Sequence, residues 1–457
     1  MTLVRVEGSR LVADGAPVVL RGFGLGGWMN MENFITGYAG SESQMRRALT
    51  RVLGTAGATA YFDRFLEVFF TDADAALLRS LGVNSLRIPF NYRHFEDDAR
   101  PFEINDRGFV LLDAVVDACA RHGIYTILDL HALPGAQNQH WHSDNPTQWA
   151  HFWEQRQFQD RVVALWERIA DHYRAHEWVA GYNPVNEPGD VHGETLGPFY
   201  RRLEAAIRAV DPDHVLFLDG NRYSTQFDQL GDPLPNCVYT AHDYALPGFV
   251  DGGPYPGETR GEYVDRDRLE ETFLSRTAYM RETGTPIWVG EFGPVYTGDP
   301  DRDEQRYRLL QDQLDIYARH GASWSLWTYK DIGLQGLVHA DPDSAYMRRI
   351  AGVLEKKARL GVDAWGSTDA GVREVLEPVE QLFAREFPGF QPYPWGVRRW
   401  IHGHVRHVML AEAMVDEYAA AFAGLTPEEA AGLADAFALP NARTRSRLAD
   451  IIGGTAP

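Results

Sequence analysis

The chain has 457 residues, 44% of them hydrophobic and 24% charged, which is the balance of a folded globular protein and not of a disordered one. Its 44 Lys and Arg face 64 Asp and Glu, for a formal net charge of -20. Like charges repel, so nucleic acid and anionic membrane are excluded as expected partners. Lys330, Lys356 and Lys357 are the whole lysine complement, which leaves few candidates for Schiff-base chemistry. Cys119 and Cys237 lie in apolar runs outside any C-x-x-C spacing and read as buried free thiols. No apolar run reaches the roughly 18 residues that a membrane span needs. The first residues carry no basic segment followed by an apolar one, so the expected location is cytoplasmic.

In chain order, residues 2–20 predict a β-hairpin. Val4, Val6 and Leu11 alternate around Gly8-Ser9-Arg10, and Asp14-Gly15 marks a second turn. Short apolar runs then recur at residues 18–25, 83–90, 125–131, 179–186, 215–219, 238–244, 287–292 and 323–328. Each reads as a buried strand. Helical patterns separate them. Thr71-Asp72-Ala73-Asp74 caps a helix running through Leu81, and Val110, Leu111, Val115, Ala118 and Cys119 line one face of a helix over 107–122. Residues 147–175, 198–210, 266–283 and 302–320 follow the same pattern. Gly82, Gly123 and Gly321 each stand between a helix and a strand, where a left-handed cap is expected.

Apolar strands alternating with helices predict an α/β fold with a parallel sheet covered on both faces. The expected architecture is a (β/α)8 TIM barrel over residues 1–360, opened by the N-terminal hairpin. No G-x-G-x-x-G leads into a helix, so an open dinucleotide-binding sheet is not marked. From about residue 365 the patterns are helical, without a strand candidate. Thr426-Pro427-Glu428-Glu429 is a capping box with Pro in the first turn. Residues 361–457 are therefore expected to form an α-helical C-terminal extension. Three roles stay open for it: packing on the barrel, a homodimer interface, or a lid.

Barrel enzymes place their chemistry at the C-terminal strand ends. Those ends carry Arg87, Asp129-Leu130-His131, Asn186-Glu187-Pro188, His242-Asp243-Tyr244, Glu291-Phe292-Gly293, and Trp324 with Trp327. Two glutamates in otherwise apolar strands are hard to explain as structural ion pairs. A pair of carboxyls facing one pocket suits glycoside hydrolysis, where one holds a proton for the leaving oxygen and the other is ionised at the anomeric carbon. Asn186 can hydrogen-bond a sugar 2-hydroxyl. Tyr244 and Arg87 can keep Glu291 ionised, and the tryptophans offer flat faces to sugar rings.

Leu86-Arg87-Ile88-Pro89, Asn186-Glu187-Pro188, His242-x-Tyr244 and Gly290-Glu291-Phe292-Gly293 together resemble glycoside hydrolase family 5, the cellulase-type group, over residues 15–335. Within it the likeness is nearest to the exo-β-1,3-glucanase type. That pattern is carried by Arg21-Gly22-Phe23-Gly24-Leu25-Gly26-Gly27-Trp28, by Glu32, by the loop from Leu130 to Asn138, and by Trp327-Thr328-Tyr329-Lys330-Asp331. The resemblance implies a retaining mechanism with Glu187 as general acid/base and Glu291 as nucleophile. It places Arg87, His131, Asn186, His242, Tyr244 and Trp327 in the substrate site, and Glu32 on the terminal sugar. Trp28, Asn138, Trp141 and Asp144 are further expected sugar contacts. Two features depart from the family pattern: the helical tail, and a longer loop, Gln139-His140-Trp141-His142-Ser143-Asp144-Asn145.

His140-x-His142 with Asp144 or His151 raises the alternative of a zinc site. The segment reads as a loop, and neither a metal nor a cofactor is expected. The expected substrate is a β-glucoside or β-glucan-type oligosaccharide attacked from its end. β-Mannosides, β-galactosides, diglycosides and endo action stay open as alternatives. Retention further predicts a short separation between Glu187 and Glu291, with Glu187 titrating high and Glu291 low.

Overall fold

The computed structural model describes residues 3–363 and 365–455. Eight strands close a barrel: β1 (Arg21–Gly24), β2 (Ser85–Asn91), β3 (Tyr125–Ala132), β4 (Val179–Asn183), β5 (Val215–Asp219), β6 (Cys237–His242), β7 (Ile287–Phe292) and β8 (Ser323–Leu326). Every neighbouring pair is parallel, and Trp324 of β8 pairs with Arg21 of β1 to close the ring. All residues of β2 through β6 are buried. That is why these strands read as continuous apolar runs and not as alternations: side chains on one face fill the barrel, and those on the other meet helices.

The N-terminal segment is a three-stranded antiparallel sheet, Arg5–Glu7, Arg10–Ala13 and Ala16–Val18, one strand more than a hairpin. Val4, Leu11 and Leu20 pack against Tyr125, Val215, Val238 and Trp288. These four lie at the strand starts, so the sheet plugs the end of the barrel away from the chemistry. The expected helices form at Asp72–Ser80, Arg107–Arg121, Leu196–Val210, Arg266–Arg276, Ala278–Thr283 and Pro300–Arg319. The one predicted over 147–175 begins only at Arg156, because Asn145 Oδ1 accepts from the Thr147 backbone at 2.9 Å and holds the preceding chain in a turn. Cys119 and Cys237 are free and buried. No helix among the described residues is long and apolar enough to cross a membrane.

A long helix, α1 (Glu42–Phe69), carries the extension. Ser41 opens it with a capping box, and Gly54, at φ 68° and ψ 170°, divides it in two. Phe65 and Phe69 meet Phe437 with ring centroids 5.1 and 5.7 Å apart, and Tyr61 meets Phe422 at 5.5 Å. Val415, Tyr418, Leu433, Leu448 and Ile452 join the same apolar core as the barrel. The extension is helical at Arg373–Glu386, Gly396–His402, Ala411–Ala420, Pro427–Ala434 and Ser446–Gly453. The expectation that it lacks strands is corrected by Ala442–Thr444, which pairs antiparallel with Val338–Ala340. Three residues are too few to leave a pattern, and the strand forms because the edge of Val338–Ala340 offers it unpaired backbone groups.

Lys330 fastens these parts together. Its buried ammonium donates to Asp74 Oδ1 at 2.7 Å, to the Phe69 carbonyl at 2.6 Å and to the Phe437 carbonyl at 2.9 Å. Lys330→Met leaves Asp74 buried without its cation. The expected loss is about 3–5 kcal/mol in chemical denaturation. A loss below about 1 kcal/mol would show that the barrel and extension are joined by apolar packing alone.

Candidate active site

The site is built upward from Arg87 on β2. Its guanidinium is fully buried and spends its donors on four acceptors from β3, β7 and the end of β4. Nε donates to Asn183 Oδ1 at 3.0 Å, Nη1 to Glu291 Oε1 at 2.5 Å and Nη2 to Asn186 Oδ1 at 2.7 Å. Nη2 also lies 3.1 Å from Asp129 Oδ2. Asp129 bonds His131 Nδ1 at 2.7 Å in turn, and the His131 ring lies flat against Trp327, 7° from parallel at 5.4 Å. Tyr244 donates its hydroxyl to Glu291 Oε2 at 2.9 Å.

Glu187 sits just past β4 with φ at 45°, a left-handed backbone that costs a non-glycine residue free energy and is characteristic of functional positions. Asp219, closing β5, holds it there by accepting from the Glu187 backbone N–H at 2.9 Å. Glu187 Oε1 bonds His242 Nδ1 at 2.7 Å, and His142 Nε2 lies 3.2 Å from Oε2. Oxygens of Glu187 and Glu291 lie within 4.8 Å of one another, with His242 beside both. This is the short class of carboxyl separation.

The two carboxyls are tuned apart. Burial raises the Glu187 pKa, the charge of Glu291 adds to it, and His242 opposes it. Burial acts on Glu291 in the same sense. There the charges of His242, Arg87 and His131, with the Arg87 hydrogen bond, outweigh it and hold Glu291 below the ordinary glutamate range. Burial would lower His131, but Asp129 and Glu32 lift it to about 10. Burial lifts Glu32 to about 7 against the pull of His131. Burial and neighbouring cationic groups keep His142 neutral, well below the ordinary histidine value.

These groups open into a cavity of about 1000 Å³, at the upper end of small-molecule sites. Glu32, His131, Trp141, Glu187, His242, Tyr244, Glu291 and Trp327 line it. Arg87 and Asn186 lie directly beneath. Three expected sugar contacts are corrected. Trp28 is core, 1% exposed, and donates Nε1 to the Leu66 carbonyl at 2.8 Å. Asp144 ties its loop to α1 and to the β2 turn, accepting from Ser43 N at 2.8 Å and Arg93 Nε at 2.9 Å. Asn138 stands behind the site, donating to the Glu187 carbonyl at 3.0 Å and facing His142 Nε2 at 2.8 Å. The proposed zinc set does not converge, because His142 faces Asn138 and Glu187 while Asp144 is engaged elsewhere.

Some site residues were not anticipated. Asn183 and Asp219 are polar ends of apolar strands, the same signal that marked the glutamates. Tyr223 had no signal. Tyr393, Trp395, Trp400 and His407 of the extension also line the cavity, and the aromatic-rich run around them is the only sequence trace of that.

The barrel and its paired glutamates define a glycoside hydrolase. The model for cellulase (glycosyl hydrolase family 5) matches residues 53–333, and the chain belongs to that family, whose enzymes act with retention. A β-xylosidase of Phanerodontia chrysosporium is 47% identical over 99% of this chain and 98% of its own. A probable glucan 1,3-beta-glucosidase A of Emericella nidulans is 29% identical over 69% of this chain and 86% of its own. The solved structure of an endogalactoceramidase shares the fold, with a TM-score of 0.52 and 19% identity over 72% of this chain and 75% of its own.

Arg87→Met removes the cation that holds Glu291 ionised. Activity should fall about 10²–10³-fold, and the acidic limb of the kcat/KM profile should move to higher pH. A limb that stays in place would show that His242 and His131 suffice.

Proposed function

We propose that the protein is an exo-acting retaining β-glycosidase that removes one gluco-configured pyranose, glucose or xylose, from the non-reducing end of a β-glycoside. Glu187 is the general acid/base and Glu291 the nucleophile. The observation that carries this reading is the pair itself: two buried carboxyls within 4.8 Å, one pushed up and one held down, at the floor of a single cavity. Protonated Glu187 gives its proton to the glycosidic oxygen while Glu291 attacks the anomeric carbon. The C–O bond to the leaving group breaks and an ester to Glu291 forms. Glu187, now ionised, takes a proton from water, whose oxygen attacks the same carbon and releases Glu291.

End recognition is supported by Glu32. It stands at the N-cap of the short helix Asn33–Thr36, but its side chain makes no capping bond and enters the cavity instead. Oε1 is buried with no hydrogen-bond partner, and His131 Nε2 stands 3.5 Å away. A buried unpaired carboxyl oxygen is costly, and hydroxyls of a terminal sugar would satisfy it. The name of the Phanerodontia relative adds xylosides to the glucosides expected from the motifs. Both sugars share one ring configuration and differ by a hydroxymethyl group.

Aryl β-glucoside, xyloside, mannoside and galactoside, compared by kcat/KM, test the sugar. The account expects glucoside or xyloside to lead, with the β-anomer as the first product by proton NMR. A leading mannoside or galactoside overturns the specificity. Glu187→Gln and Glu291→Gln should each retain binding and lose turnover by several orders of magnitude; near-normal turnover in either removes its role. Activity requires ionised Glu291 and protonated Glu187. It should therefore fall as pH drops through a Glu291 pKa below the ordinary glutamate value, and fall again as pH rises through a Glu187 pKa above it. A flat profile from pH 4 to 8 contradicts the pairing.

A further inference from the structure

The extension does more than cover the barrel: Trp395 stands at the cavity wall, 42% exposed. Its position relative to the two carboxyls can be traced through contacts. His142 lies 3.2 Å from Glu187 Oε2. The His142 ring meets Tyr223 edge-on at 6.1 Å, and Tyr223 meets Trp395 at 4.5 Å. His140 packs against both Tyr223 and Trp395, at 4.9 and 5.4 Å. Trp365, also of the extension, lies against Tyr244 at 4.9 Å, on the side of Glu291. Trp395 is thus on the side of Glu187.

The acid/base must touch the leaving oxygen, so the group attached to that oxygen lies on the Glu187 side. We propose that Tyr223 and Trp395 form the leaving-group subsite, and that they select a leaving group carrying a ring with an apolar face, either an aryl ring or a second pyranose. The inference rests on the role given to Glu187 above.

Two independent features indicate that this wall is built for a ligand. Arg222, Tyr223 and Ser224 have φ of 50°, 59° and 57°, three consecutive non-glycine residues in the left-handed region. Each costs free energy there, and such strain persists where surrounding structure holds a side chain for use. The Tyr223 hydroxyl is fixed at both ends of its bonding capacity, accepting from Gln139 N at 3.2 Å and donating to Gln139 Oε1 at 3.1 Å. The extension is also latched to this same turn, with the Tyr393 hydroxyl donating to Asn221 Oδ1 at 3.2 Å. Asn221 in turn accepts from the backbone of Asp190 at 2.9 Å, in the loop that carries Glu187. The tail, the strained turn and the acid/base loop are therefore one unit. The exposed part of the Trp395 indole on that unit offers contact to a flat or apolar ring face.

The test compares substrates that fill the subsite with one that does not. Wild type, Trp395→Ala and Trp395→Phe are assayed on the β-glucosyl and β-xylosyl fluorides, on the phenyl β-glycosides, and on β-linked disaccharides. Fluoride is too small to reach Trp395. For Trp395→Ala, the ratio of kcat/KM on ring-bearing substrates to that on the fluoride should fall about tenfold. Trp395→Phe should recover most of it. A fall on the phenyl glycoside alone assigns the subsite to aryl groups, and one on the disaccharide alone assigns it to a sugar. An unchanged ratio, or a loss of equal size on the fluoride, overturns the proposal. Wild type that turns over neither fluoride would instead remove the glycosidase reading, and the subsite with it.

Discussion

The site depends on one buried cation. Taking a guanidinium out of water costs several kcal/mol, and the cost is offset only where anions and hydrogen-bond acceptors surround it. Arg87 meets that condition with Glu291, Asp129, Asn183 and Asn186, drawn from β7, β3 and the end of β4. The consequence runs both ways. Glu291 is kept ionised although it is buried, and that fixed negative charge in turn adds to the burial that raises Glu187. The charges of His242, Arg87 and His131 thus push two chemically identical side chains apart, holding Glu291 low while Glu187 is raised, although both are buried.

Around this centre the barrel and much of the extension share one apolar core. The barrel and the helices after residue 410 share apolar contacts, the plug packs in its own cluster at the strand starts, and Lys330 joins β8's exit to α1 and to Phe437. The part of the extension that lines the cavity is tied to the barrel by the Tyr393 hydroxyl, which donates to Asn221 Oδ1. Trp365 packs on Tyr244, which bonds Glu291, and Trp395 packs on Tyr223, which meets His142 beside Glu187, so the tail lines the cavity near both carboxyls. The relative from Phanerodontia aligns over essentially the whole chain, tail included, whereas the family model stops at residue 333. The match to the family model takes in the barrel strands from β2 to β8, and the extension lies beyond it.

How much of this was legible follows from the range of the forces involved. The strands were readable because burial on two faces leaves continuous apolar runs, and a charged residue such as Glu187 or Glu291 stands out inside one. Left-handed Gly82, Gly123 and Gly321 were readable because the conformation is local, and all three have positive φ. Trp28 and Asp144 misled because their residue types suit sugar contact as well as packing, and only the arrival of α1 decides between the two. Leu66 and Ser43, which engage them, were in no recognised element. The α1 helix was assigned no element from the sequence, and Gly54 breaks its helical backbone. Tyr223 and Trp395 are 172 residues apart in sequence by number and meet only in the folded chain, so no window of residues could have paired them.

The central claim is that Glu291 forms the bond to the sugar. A 2-deoxy-2-fluoro-β-glycosyl fluoride, in which the fluorine at C2 slows both steps while the good leaving group rescues the first, should accumulate the covalent intermediate. Digestion and mass spectrometry should then find one fluorosugar per chain, on the peptide that contains Glu291 and absent in Glu291→Gln. A label on any other carboxyl, or hydrolysis with no adduct and with the α-anomer released first, would contradict the account.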